Sequence, residues 1–354
     1  MDSIASPRRT GFLGHLIGQA TGAANDNLFR QAFAFALTAA VVSEIDGNRL
    51  KAAMGLLFIV PFVVLAPLAG HLADTMPKDR LVRRLRFLEL GLCLSGCIAL
   101  LTGSVVAMLV TVAALGAQSA LFAPVKYAIL PEIVSPDRLD QANGRIQALS
   151  NVAILTGTAL AITADGSALP GWGGAWTVGA VSMLLALCGI AGALSIPRLT
   201  AQATSTGCGS PLAALGILRR HPELRVPMFS LSAVWAIGAV IQLVLTGVAV
   251  HSYHLTEAGA ALLALSLGLG LAAGALLAPL LQHRAYPAGL PVAGAVLSGG
   301  GAIATGLLAA AGAPLGWTIS CIVVAGLGGG LWIVPLTVLL QRLAPDSERG
   351  RVFA

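Results

Sequence analysis

Charge is scarce in this chain. Only 10% of its 354 residues are Asp, Glu, Lys or Arg, whereas a soluble protein carries about 25%, so an ordinary water-facing surface is excluded. The five cysteines, Cys93, Cys97, Cys188, Cys208 and Cys321, form no metal-ligand pattern. Cys93 and Cys97 sit one helical turn apart inside an apolar run and read as small packing residues. No metal and no cofactor is expected. There is no Walker loop, no His-Glu-x-x-His and no Gly-x-Ser-x-Gly, so no enzyme signature is present. Gly268, Gly270 and Gly274, like Gly326, Gly328, Gly329 and Gly330, lie within apolar runs and suit close helix packing better than a nucleotide. The apolar runs do not alternate with polar residues, as the strands of a membrane β-barrel would. Nor is a signal peptide expected. No small-residue cleavage site follows Arg8 and Arg9, and Gln19, Asn25, Asp26, Asn27 and Arg30 interrupt the apolar stretch.

What the chain has in abundance is apolar residues, 56%, with 42 glycines. Runs of ~18–25 apolar residues recur along it, the length a helix needs to cross ~30 Å of hydrocarbon. The pattern predicts ten spans, near 14–43, 52–75, 83–103, 105–127, 145–165, 173–196, 226–250, 258–282, 289–311 and 314–340. With the N-terminus and alternate loops on one side, that side receives 18 of the 21 lysines and arginines. The other side receives Arg49 and Lys51, and Arg30 lies within a span. Basic residues stay cytoplasmic, so the N-terminus is expected in the cytoplasm. The net charge of +6 then reflects membrane topology, and no nucleic-acid partner is expected.

The chain also repeats itself. Ala66-Pro67-Leu68 with His71 returns as Ala278-Pro279-Leu280 with His283, and Pro124 returns as Pro335. Pro136-Asp137 with Gly144-Arg145-Ile146 returns as Pro345-Asp346 with Gly350-Arg351-Val352. Matches in one register imply two parallel six-helix halves. The expected organisation is a six-helix bundle at 1–197, a cytoplasmic linker at 198–225, and an incomplete bundle at 226–354. By the repeat, Arg351 onward opens an eleventh span, so the second half is expected to be truncated.

Ionisable groups inside apolar spans draw attention, because each costs ~2.5–3.5 kcal/mol at a helix centre. Asp26 and Arg30 are four residues apart with the acid first, so they share a helix face and can pair. Either they neutralise one another or they line a cavity, and intramembrane charges usually do the latter. Lys126 follows Pro124 by two residues, whereas the counterpart after Pro335 is Thr337. A cation needed only for packing has little reason to appear in one half alone, although a snorkelling interfacial lysine is the plain alternative.

Gly70-His71-Leu72-Ala73-Asp74, with Asp79-Arg80 and Arg83, resembles the cytoplasmic loop motif of the major facilitator superfamily. Asn25-Asp26-Asn27-Leu28-Phe29-Arg30, Arg86-Phe87-Leu88-Glu89, and Pro124-Val125-Lys126-Tyr127-Ala128-Ile129-Leu130-Pro131-Glu132 with Asn143-Gly144 are similar to signatures of bacterial lysophospholipid transporters. Ala123 and Ala128 stand where that family has glycine, and Gln147 where it commonly has Glu. The resemblance implies an all-α major facilitator fold in the bacterial inner membrane and no enzymatic activity. It implies movement of lysophospholipid, chiefly the ethanolamine type, from the outer to the inner leaflet. Re-acylation by a partner acyltransferase, or acyl-ACP synthetase, then follows. On this resemblance Asn25, Asp26, Asn27, Arg30, Glu89, Lys126 and Tyr127 are candidate substrate residues. Gly70, Asp74, Arg80, Arg83 and Asn143 are candidate gating residues, with Asp74 holding a helix N-terminus and nearby arginines. Two alternatives remain: another small amphipathic solute or drug with Asp26 as a proton site, or a membrane module associated with an acyltransferase.

Overall fold

The computed structural model describes residues 7–39, 44–164, 174–201, 211–255, 257–282 and 289–354. Among these the chain is helical with no strand. The long helices are α1 (Pro7–Ala39), α2 (Glu44–Thr75), α3 (Lys78–Thr102), α4 (Val105–Ala128), α6 (Leu139–Ala164), α7 (Gly174–Leu194), α9 (Arg225–Gly247), α10 (Glu257–Gln282), α11 (Gly289–Ala310) and α12 (Leu315–Leu343). Short helices α5 (Leu130–Ile133), α8 (Pro211–Arg220) and α13 (Arg349–Phe353) stand between or after them. The middle of the expected linker (202–210), Cys208, His283 and Arg284 lie outside the described residues.

Nine of these helices are long and apolar enough to cross a membrane. The first expected span, α1, is a continuous helix of 33 residues but is not among the nine. Its polar residues from Gln19 to Gln31 dilute its hydropathy. Its large apolar side chains Leu28, Phe29, Phe33 and Leu37 are fully buried inside the bundle instead.

The chain divides into two compact units. One comprises residues 1–135, 153–219 and 344–354; the other comprises 136–152 and 220–343. In the first unit α2 packs on α4, α3 on α4, and α7 on both α1 and α3. In the second unit α12 packs on α10, α11 and α9. The repeat therefore extends to packing: α10 and α12 carry Pro279 and Pro335 inside helices, as α2 and α4 carry Pro67 and Pro124. At Gly328 and Gly330 a Cβ would strike the backbones of α11 and α10 respectively. Close backbone approach of this kind associates helices where lipid removes the hydrophobic drive between them.

Exposure is inverted relative to a soluble protein. Val63 is 76% exposed and Trp176 is 74% exposed, while Asn25, Lys78, Asp79, Arg86 and Glu89 are almost wholly buried. Charged side chains are almost never buried without a partner, so each of these points to a built contact.

Candidate functional site

Within the first unit, α1, α3 and α4, with Phe62 of α2, enclose a cavity of about 180 Å³. Helical spacing builds its walls. On α1 the lining residues are Gln19, Gly22, Ala23 and Asp26; on α4 they include Gln118, Phe122 and Lys126, each one turn from the next. Arg86 arrives from α3. An apolar bundle thus presents one carboxylate and two cations to a single small space.

The side chains there are held in place. Ser119 Oγ donates to Asp26 Oδ2 at 2.5 Å. The Arg30 guanidinium lies 4.9 Å from the Phe58 ring centroid. Asp26 and Arg30 therefore each have a partner other than the i,i+4 ion pair expected between them. Arg86 sits 4.3 Å above the Phe122 ring and pairs with Glu89. Asn25 Nδ2 donates to Glu89 Oε1 at 3.3 Å and to the Ser182 carbonyl at 3.2 Å. Asn25 and Glu89 are buried supports of Arg86 and do not line the cavity. Asn27 donates to the Ala23 carbonyl at 2.8 Å, a contact within its own helix. Lys126 lines the cavity, and its Nζ lies 4.9 Å from the Tyr127 ring. Tyr127 in turn stacks on Phe353 with centroids 5.6 Å apart.

Of the candidate gating residues, Asp74 and Gly70 meet α13. Asp74 is 1% exposed; it accepts the Gly350 N–H at 2.5 Å, the Arg351 N–H at 3.2 Å and Arg351 Nε at 3.0 Å. Gly70 makes room for this contact, because a Cβ there would come within 2.8 Å of the Arg351 Cα. The expected arginine partners differ from the observed one. Asp79 holds Arg83 at 3.5 Å, and Arg83 donates to the Ala193 and Ile196 carbonyls at the end of α7, a C-terminal cap. Arg80 is exposed. Arg83 is thereby taken from Asp74, and Arg351 serves as its arginine partner. In the second unit, Asn143 and Gln341 exchange side-chain amide hydrogen bonds of 2.6 and 3.1 Å.

The sequence places Arg86 in a family signature and among the topology charges but not among the candidate substrate residues, and it leaves Ser119, Gln118 and His15 unremarked. The Gln118–Phe122–Lys126 stripe was the available signal. Lys78 is fully buried against Glu132 at 2.7 Å, another contact that local sequence does not announce. The second unit holds a larger cavity of about 500 Å³ between α9, α11 and α12, lined mostly by apolar residues. Its arginine, Arg342, is paired with Asp140 at 3.1 Å. Among the described residues no group of three His, Cys, Asp or Glu side chains could hold a metal ion.

The sequence pattern of the Major Facilitator Superfamily matches residues 20–354. The chain is similar to the lysophospholipid transporter LplT of Yersinia enterocolitica, 26% identical over 349 residues, covering 95% of this chain and 80% of that protein. It is also similar to LplT of Pectobacterium carotovorum, 29% identical over 308 residues, covering 83% and 68%. Among solved structures it resembles the human organic anion transporter MFSD10, with a TM-score of 0.76 and 15% identity over 98% of this chain and 89% of that one. A bacterial homologue of the iron transporter ferroportin in an outward-facing state gives 0.72 and 17% over 97% and 87%. At such identities these structures bear on fold alone.

Proposed function

Because the chain belongs to the Major Facilitator Superfamily, we propose that it is a secondary transporter of lysophospholipid, moving it from the outer to the inner leaflet of a bacterial inner membrane. The observation that carries this reading is the shared cavity of Asp26, Arg86 and Lys126. A lysophosphatidylethanolamine head group has an ammonium and a phosphate. Asp26 suits the first; Arg86 and Lys126 suit the second. At about 180 Å³ the cavity falls below the roughly 300–1,000 Å³ that encloses a whole drug-sized ligand. It takes the head group and leaves the acyl chain to apolar surface. The names of the similar transporters support the same cargo.

In this reading the N-terminus is cytoplasmic, which the distribution of basic residues supports. The Asp74–α13 contact acts as a latch on that side. A cytoplasmic acyltransferase or acyl-ACP synthetase re-acylates the delivered lipid. The test is uptake of labelled lysophosphatidylethanolamine into spheroplasts with and without the protein. Protein-dependent uptake is expected. Its absence, with uptake of an unrelated amphipathic solute instead, would move the assignment to that solute.

A further inference from the structure

The α4 wall of the cavity ends at Lys126, and a buried histidine holds that end. His15, on α1, is 1% exposed, and its Nε2 lies 3.0 Å from the carbonyl oxygen of Lys126. A carbonyl only accepts, so Nε2 carries the proton and donates it. Lys126 belongs to the last turn of α4, the turn whose carbonyls side-chain donors cap. His15 is therefore a C-terminal cap supplied by another helix.

Its other neighbour is also a cavity residue. The His15 ring lies 6.2 Å from the Phe122 ring, the same ring on which Arg86 rests. Nδ1 is buried and has no hydrogen-bond partner among the described residues. Burying a polar atom unmatched is unfavourable, and leucine would fill the same space without it. The donor on Nε2 is what distinguishes histidine here.

We infer that His15 is a positioning residue. By holding the Lys126 carbonyl, it fixes the end of α4 so that Lys126 is presented to the cavity, and it thereby sets affinity for an anionic group there. Only the identity of that group, the phosphate ester of a lysophospholipid, rests on the transport reading above.

Two measurements on the full chain decide this. In spheroplast uptake of lysophosphatidylethanolamine at matched membrane abundance, His15→Leu should raise the half-saturating concentration by about tenfold, the scale of one lost buried hydrogen bond. The maximal rate should stay within about twofold. His15→Gln, whose amide can donate to the same carbonyl, should recover most of the affinity. A fallen maximal rate with unchanged half-saturation, or a Gln variant as poor as Leu, would overturn the inference. The second measurement needs no transport: Lys126→Cys in an otherwise cysteine-free chain, labelled with a sulfonated thiosulfonate reagent. His15→Leu should change the labelling rate by about fivefold or more and His15→Gln should not, the displacement expected when a buried cap is lost. An unchanged rate overturns the inference. If the unaltered protein takes up no lysophospholipid, the transport reading fails and the labelling still decides on His15. Should His15→Leu not reach the membrane, His15→Phe takes its place in both comparisons.

Discussion

The carboxylate of Asp74 caps the amide of Gly350 across 276 positions of sequence, at 2.5 Å, while its second oxygen holds Arg351. Asp74→Asn keeps an acceptor but loses the charge. Hydrogen bonds to charged groups contribute about 1.5–3 kcal/mol, so α13 should dock less firmly on α2. Lysophospholipid uptake is expected to slow about tenfold for a loss of 1.4 kcal/mol, with normal membrane insertion. Unchanged uptake would reduce the contact to packing.

Lys126 should be needed for its charge. Lys126→Ala is expected to lower uptake at least about tenfold through the lost phosphate contact, and Lys126→Arg to retain much of it. Full transport by the alanine variant at matched abundance would return Lys126 to the role of an interfacial lysine.

Arg86 and Glu89 are 2% and 1% exposed, so removing one strands the other. Glu89→Gln should destabilise the protein by about 3–5 kcal/mol, whereas converting both to methionine should be far milder. Thermal unfolding in detergent reads both. A double variant as unstable as Glu89→Gln would show that the pair is not the source of the effect.

Topology gives a fourth test. A reporter fused after Arg220 should read cytoplasmic, and one inserted near Asp46 should read periplasmic, from the charge asymmetry. The reverse pattern would contradict the assigned orientation.

Much of the fold was legible because lipid imposes a simple rule: apolar runs of spanning length become helices. The rule weakened at α1, whose polar residues His15, Gln19, Thr21 and Asn25 turn inward and whose phenylalanines fill the unit's core. The candidate site was legible only where a charge interrupted an apolar span, at Asp26 and Lys126. Ser119, His15 and Arg86 came from three helices, and their convergence depends on packing that no local pattern records. Arg83 and Asp74 looked like partners by proximity in sequence, but the carbonyls at the end of α7 and the amides of α13 offered each a better match.

The glycine seam of α12 has a consequence for how this chain can vary. Of the apolar stretch of α12, 72% is buried, against 11% for α2. Along α2, one oily side chain can replace another because lipid accepts most shapes. At Gly328 and Gly330 even a methyl group meets backbone. Mutational drift should therefore collect on the lipid-facing helices and leave the α12 seam nearly untouched.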